Sequence, residues 1–169
     1  MEFLDYVNDN DEVIGSATRS EVYENLLTHR IVHVIVFDSE GRMALQMRSS
    51  KVSFCPLYWC TTAGGHVRSG ETYEQAALRE LKEETGKELK VFFAHKDLYE
   101  YVGGRGKVLK KFLATFTAKF DGPFSIDKKD VDRIEFFTLV EIKQMIDDGE
   151  KFHPELLFLL EKHFGIKRA

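Results

Sequence analysis

The sequence predicts an α+β fold in which helices pack on a mixed β-sheet. An apolar run rich in β-branched residues, Arg30–Phe37, indicates a buried strand. The segment Tyr73–Gly86 has the composition and end signals of a helix. Two more segments with helical spacing of apolar residues, Val140–Asp148 and His153–Phe164, indicate helices that close the fold. Strands and helices in this irregular order are typical of an α+β domain.

Before the buried strand, the chain predicts a short hairpin and a helix. Phe3–Val7 and Val13–Ala17 have the composition of strands, and the polar residues between them suit a turn. Arg19–Leu27 follows as a short helix, with Thr18 near its N-cap. We expect residues 1–28 to be an extension in front of the core.

The remaining strands follow the buried one. Met43–Arg48 alternates as its partner across a polar turn. Leu89–Tyr101 and Val108–Phe120 indicate a long hairpin, and Arg133–Leu139 indicates a further strand. Between the second core strand and the helix, Lys51–Thr62 is expected to be an irregular connection.

The helix near the middle of the chain has strong local signals at both ends. Thr72 and Gln75 form a T-x-x-Q capping box, so the helix is expected to start near Tyr73. Gly86 stands where a left-handed residue ends a helix. We therefore expect a single amphipathic helix between these two signals.

One side of this helix carries more acid than packing requires. Glu80, Glu83 and Glu84 are spaced i, i+3 and i+4, so they share a side and repel one another by roughly a few tenths of a kcal/mol per pair. A divalent cation would relieve this repulsion, and Mg²⁺ prefers such oxygen ligands. The fork of Arg79 can pair bidentately with a carboxylate such as Glu71. The pattern indicates a site for a divalent cation and a polyphosphate.

The segment resembles the signature of the Nudix hydrolases, G-x5-E-x7-R-E-U-x-E-E-x-G-U, in which U is apolar. The matching positions are Gly65, Glu71, Arg79, Glu80, Leu81, Glu83, Glu84 and Gly86. Lys87 departs from the pattern at a position that packs in the family. The chain thus resembles the MutT-like members of this family.

The resemblance implies the Nudix α/β/α sandwich and a hydrolase that cleaves a diphosphate linkage in a small nucleoside-diphosphate derivative. It implies Mg²⁺ or Mn²⁺ as cofactor, with the metal held by Gly65, Glu80, Glu83 and Glu84. The catalytic residues that it implies are Glu83, Glu84, Arg79 and Glu71. Glu71 and Arg79 would orient the site. The general base is a helix glutamate or an acid from a distant loop, such as Asp130 or Asp132, whose alternative is a plain turn.

Several residues outside the signature are candidates for substrate contact. Arg48 ends the second core strand and is expected to reach a phosphate, the alternative being an exposed strand end. His66 follows the first signature glycine and is expected to touch substrate or metal. The aromatic residues Phe54, Tyr58 and Trp59 either pack in the core or form a wall against the substrate.

Two other functions are compatible with the same fold. The order His29, apolar strand, Trp59, Gly65-His66 resembles the isopentenyl-diphosphate isomerases, which share the Nudix fold. However, Gly64 stands where these enzymes have a cysteine, and Leu109-Lys110-Lys111 where they have two metal-binding glutamates. The other alternative is a non-catalytic Nudix-fold binding protein, which should have lost signature glutamates. His29 and His33 are expected to be packing residues rather than metal ligands.

Length and composition set further bounds. The chain of 169 residues fits one domain, with the Nudix core over 29–169. Its net charge of −4 does not favour nucleic-acid polymers as partners. No stretch has the ~20 apolar residues that crossing a bilayer takes, and two cysteines suggest a reducing compartment, hence the cytoplasm. A terminal apolar stripe is expected to pack on the domain, with a homodimer contact as the alternative.

Overall fold

The computed structural model describes residues 1–168, and within them it contains one nine-stranded sheet and four α-helices. The strands are β1 (Phe3–Val7), β2 (Val13–Thr18), β3 (His29–Phe37), β4 (Met43–Arg48), β5 (Trp59–Cys60), β6 (Ala63–His66), β7 (Phe92–Val102), β8 (Val108–Lys119) and β9 (Val131–Phe137). The helices are α1 (Arg19–Glu24), α2 (Tyr73–Thr85), α3 (Leu139–Asp147) and α4 (Pro154–Phe164). No helix of the described part of the chain is long and apolar enough to span a membrane.

Strand β3 is the centre of the mixed sheet. It pairs in parallel with β8 along its whole length, from His29 opposite Lys111 to Phe37 opposite Lys119. It also pairs antiparallel with β6, with β4 and, at its first residue, with β1. A strand covered on both faces has no solvent side, which explains its continuous apolar sequence.

Two apolar cores lie on opposite faces of the sheet. Alternate residues of β3 enter the first core, which contains Val32, Val34, Val36, Ala76, Ala77 and Leu81 and is covered by α2. The second core is covered by α3 and α4 and contains Ile35, Leu45, Trp59, Ile142, Leu156 and Leu160. Helices on both sides of a mixed sheet confirm the predicted α+β sandwich, and the terminal apolar stripe packs largely in the second core.

Some predicted bounds were wrong. Lys51–Thr62 is not wholly irregular, because Trp59–Cys60 forms β5 against β4. Ala63–His66 forms β6, which the glycine-rich sequence did not indicate. The helix predicted over Arg19–Leu27 ends at Glu24, and Leu26 has a φ of 52°, which no helix continues through.

Two further strands differ from prediction at their first residue. The strand expected over Leu89–Tyr101 begins at Phe92, and the one expected over Arg133–Leu139 begins at Val131. Val131 pairs with Arg48 next to a register shift in β4, and a single-sequence pattern does not report such irregular pairing.

The two ends of α2 are as predicted. Thr72 accepts a hydrogen bond from the Gln75 amide at 3.1 Å, and Gln75 accepts one from the Thr72 amide at 2.9 Å. Gly86 has a φ of 70°, and its amide donates to the Lys82 carbonyl. A side chain on Gly86 would meet the Ser125 carbonyl oxygen at 2.5 Å, so glycine is required there by conformation and by space.

We expect Gly86→Ala to lower the free energy of unfolding by roughly 2–3 kcal/mol, because a left-handed residue gains a Cβ and that Cβ meets Ser125. Gly41→Ala is the matched control, since Gly41 also has a positive φ, 78°, but has open space around it. Urea denaturation of both variants separates the two effects. Equal losses would show that the contact with Ser125 contributes nothing.

Candidate active site

Strand β6 and helix α2 approach each other closely at two glycines. Gly64 and Gly65 pair with His33 and Val32 of β3. A Cβ on Gly65 would overlap the carboxylate of Glu80, so the missing side chain provides the space in which this carboxylate lies. The amide of Gly64 donates to Glu84 Oε2 at 2.8 Å. Two carboxylates of α2 are thus held against one strand.

Arg79 links the other acidic residues of the signature. Its Nε and one terminal nitrogen donate to the two oxygens of Glu71, at 2.6 and 2.9 Å. The other terminal nitrogen donates to Glu80 at 2.7 Å, and a further bond reaches the His66 carbonyl at 3.0 Å. These contacts raise the pKa of Arg79 and, through the hydrogen bonds from Arg79, lower that of Glu71. The bidentate pair expected from the sequence is present.

The two carboxylates against β6 are electrostatically unfavourable as they stand. Burial raises the pKa of Glu80 to about 7, although hydrogen bonding to Arg79 opposes this. Burial and then the charge of Glu80 raise the pKa of Glu84 well above its usual range. The side chain of Glu83 is 49% exposed and 3.4 Å from Arg79. A divalent cation fits this set, because all donors are hard oxygens and its charge would offset their repulsion.

A cavity of about 460 Å³ opens beside the same two glycines. Its volume lies in the range that is typical of small-molecule binding sites. Three of its lining residues carry a positive charge, namely Arg19, Arg48 and Lys111. Arg48 is also close enough to Glu84 for its charge to oppose, without reversing, the rise in the pKa of that carboxyl. Both substrate contacts expected from the sequence, Arg48 and His66, therefore line this cavity.

The cavity wall also carries a charged group that the sequence did not indicate. Glu155 enters the cavity from the first turn of α4, where its carboxylate contacts His33 Nε2 at 2.9 Å and Lys111 Nζ at 3.2 Å. Burial opposes its ionisation, but the hydrogen bond from His33 and the charge of Lys111 hold the pKa of Glu155 far below its usual range. The only sequence signal was a Pro-Glu pair at a helix start.

His29 and His66 both contact Tyr23 of α1, and burial lowers the pKa of each ring, which favours the neutral form. His66 Nε2 lies 2.7 Å from the Tyr23 hydroxyl, and burial, followed by the charge of Arg19, lowers the pKa of His66 to about 3. Its ring stacks on that of His29, which is fully buried and contacts the Leu27 carbonyl. His66 therefore presents a neutral ring to the cavity.

The remaining candidates from the sequence take different places. Asp130 and Asp132 are not among the described residues that line the cavity. Of the three aromatic residues, Phe54 lines the cavity and is 50% exposed. Trp59 is buried in the second core, and Tyr58 lies on a separate depression near α3.

The chain is similar in sequence to a known domain family and to known proteins. The NUDIX domain family matches residues 27–160 of the chain. An uncharacterized Nudix hydrolase of Nostoc sp., all7351, is 32% identical over 98% of this chain and 97% of its own length.

Two solved structures are also similar. The crystal structure of DR0079 from Deinococcus radiodurans has a TM-score of 0.77, with 27% identity over 95% of this chain and 98% of that one. The NUDIX domain of Shewanella oneidensis NrtR, solved with ADP ribose, has a TM-score of 0.61 at 19% identity, over 88% of this chain and 98% of that one. The latter likeness concerns the fold alone. From the domain match, the Nostoc relative and the shared fold, the chain is a member of the Nudix hydrolase family.

Proposed function

We propose that the protein is a Mg²⁺- or Mn²⁺-dependent hydrolase that cleaves the phosphoanhydride linkage of a nucleoside-diphosphate derivative by attack of water. The observation that carries this proposal is the position of the Glu80 and Glu84 carboxylates against Gly64 and Gly65, which also line a cavity with three cationic side chains. The arrangement offers a cation site next to a site for phosphates.

The residues that would hold the ion are Glu80 and Glu84, with Glu83 and the Gly65 carbonyl as further ligands. Once bound, the ion would neutralise phosphate charge and lower the pKa of a coordinated water. Arg79 keeps Glu71 and Glu80 in fixed positions through its hydrogen bonds. It therefore acts on the reaction by positioning, which contributes much of phosphoryl-transfer catalysis.

The cationic side chains would bind the phosphates of the substrate. Arg48 lines the cavity, and its Nε donates to the Phe54 carbonyl at 3.0 Å, which restricts the side chain. Lys111 is held by the buried carboxylate of Glu155. Because Glu155 stays ionised, the ammonium of Lys111 keeps its charge and place in the cavity.

Two observations support the nucleoside-diphosphate class. The similar NrtR domain was solved with ADP ribose, which contains a diphosphate between two riboses. In this chain, Phe54 offers a half-exposed ring on the cavity wall, suited to stacking on a base or covering an apolar group.

The isomerase alternative is less compatible with this site. A side chain on Gly64 would meet the Val32 carbonyl oxygen at 2.8 Å, so a cysteine there would require the strands to shift. Cys60 does line the cavity, but burial raises the pKa of its thiol to about 12, which leaves little thiolate. The purely binding alternative has no support in the signature, where every glutamate is retained.

For cellular context we propose the cytoplasm, a small-molecule substrate and no nucleic-acid polymer. Cys55 and Cys60 are both free thiols, as in a reducing compartment. The net charge of −4 disfavours polyanions that no metal neutralises. A homodimer stays a prediction, to be tested by the mass in solution.

The proposal is tested first by phosphate and pyrophosphate release with Mg²⁺ or Mn²⁺, over nucleotides, dinucleotides, nucleotide sugars and isopentenyl diphosphate. We expect Glu84→Gln to lower kcat by roughly 100-fold or more on the substrate that is cleaved, because a ligand charge is lost. The free energy of unfolding should be unchanged or higher, since the folded state disfavours the charged form of Glu84.

Glu74→Gln is the control for this variant, because Glu74 is an exposed residue in the first turn of the same helix. It should retain full activity. Near-normal turnover by Glu84→Gln would contradict the assignment of the metal site, and conversion of isopentenyl to dimethylallyl diphosphate without release would favour the isomerase.

The space at Gly65 provides a second test. Gly65→Ala places a methyl group where the Glu80 carboxylate lies, so we expect the metal concentration for half-maximal activity to rise about 10-fold or more. Gly104→Ala is the control, because Gly104 has open space and lies on the β7–β8 turn, outside the cavity lining. A metal requirement equal to that of the unmodified protein would show that Glu80 need not occupy this position.

The role of Arg48 can be separated from that of the carboxylates. We expect Arg48→Gln to raise KM about 10- to 100-fold, with a smaller change in kcat, because it removes a charged hydrogen bond to a phosphate. Arg133→Gln, on the neighbouring strand β9 and outside the cavity lining, is the control. An unchanged KM in steady-state kinetics would exclude Arg48 as a substrate contact.

A further inference from the structure

A second group of metal-ligating side chains lies away from the signature glutamates. His95 and Asp97 are two residues apart on β7, so they point to the same face of the sheet. His163 comes from the last turn of α4, which covers that face. Glu155, in the cavity, is eight residues earlier on the same helix, or about 12 Å along its axis. The group is therefore separate from the proposed catalytic site.

The three ligand atoms already converge. Asp97 Oδ2 lies 3.1 Å from His95 Nδ1 and 2.8 Å from His163 Nε2. The ligand atoms all lie within 4.8 Å of one another, and the two imidazole rings are stacked with centroids 3.3 Å apart. Donors around a tetrahedral Zn²⁺ are roughly 3.3 Å apart, given bonds of about 2.0–2.1 Å. The donor atoms are therefore at the right spacing, and to bind one ion the two rings would turn out of their stack so that both nitrogen lone pairs face it.

The group combines a buried carboxylate with access from solvent. Asp97 is only 5% exposed, and Lys162 and His163 both contact its oxygens. Both histidine side chains retain access to solvent, 21% and 23% exposed, which leaves a path for entry.

The donor atoms of this group favour a different metal ion from the one that the glutamates favour. Two imidazole nitrogens and one carboxylate suit Zn²⁺ and similar transition-metal ions, whereas Mg²⁺ takes oxygen ligands. Three protein ligands leave a fourth position for water.

We propose that His95, Asp97 and His163 form a second metal site, for a divalent transition-metal ion such as Zn²⁺, that links strand β7 to the end of helix α4. The ion would fix the C-terminal helix to the edge of the sheet. Since α4 also carries Glu155, the site would secure the helix that forms one wall of the cavity.

Lys162 gives the proposal a distinctive test. Its Nζ lies 2.7 Å from Asp97 Oδ1, the oxygen that the histidines do not contact. If the three residues form only a hydrogen-bonded cluster without metal, the ammonium of Lys162 stabilises the carboxylate. At a metal site its positive charge weakens binding of the cation. Replacing Lys162 should therefore lower the stability of a cluster without metal, but it should tighten cation binding at a metal site.

The experiment is calorimetric titration of the whole protein with Zn²⁺ alone, in excess Mg²⁺ so that the glutamates are occupied. We expect one equivalent to bind and to raise the Tm. His163→Gln and His95→Asn should each weaken binding by about 100-fold or more, since loss of a ligand exceeds the loss of an outer partner. Lys162→Met should tighten binding several-fold.

Glu161→Gln, an exposed neighbour on α4, is the control and should bind as the unmodified protein does. Circular dichroism checks that each variant is folded. The proposal is overturned by Zn²⁺ binding that persists in both histidine variants, by binding that is lost in Glu84→Gln instead, or by weaker binding in Lys162→Met.

Discussion

The close approach of helix α2 to the edge strand β6 is the constraint on which the rest of the site depends. Gly64 and Gly65 leave the strand without side chains, and the fully buried Ala76 and Ala77 let the helix lie close to the sheet. Any larger residue at Gly65 would occupy the space of the Glu80 carboxylate. The spacing of glycine and glutamates in the sequence thus reflects a contact between the helix carboxylates and the strand backbone rather than a helix property alone.

This contact places acidic groups where they are costly in the absence of a cation. Burial and neighbouring carboxylates raise the pKa of both Glu80 and Glu84, and hydrogen bonds from Arg79 to Glu80 and from the Gly64 amide to Glu84 offset this only in part. The well-capped α2 and its apolar face hold these groups in place despite the repulsion. Packing alone does not explain why acidic groups are clustered in this way, so the cluster indicates a functional site.

The sequence was most informative where the signals are local. The capping box of Thr72 and Gln75, the left-handed Gly86 and the pairing of Arg79 with Glu71 all follow from residues within one helix and its flanks. The cluster of Lys111 and Glu155 in the cavity lining was not predictable in this way. Lys111 and Glu155 lie 44 residues apart, and only the parallel pairing of β3 with β8 under α4 brings them together.

Strand β6 shows a different limit. Its sequence Ala-Gly-Gly-His has low strand propensity, and its pairing with β3 comes from the tertiary context. The metal-ligating group of His95, Asp97 and His163 shows the same limit, because its two elements are far apart in sequence. Polar residues that are close in sequence form a site only when the topology brings them against the residues of another element.

In the proposed reaction, water attacks a phosphorus atom at the site where the α2 carboxylates meet the cationic cavity. Its most direct test is to run the reaction on the cleaved substrate in water enriched in ¹⁸O and to analyse the products by mass spectrometry. We expect a single ¹⁸O atom in one phosphate-containing product and none in the other. Label in a non-phosphate product, or rearranged substrate without label, would contradict it.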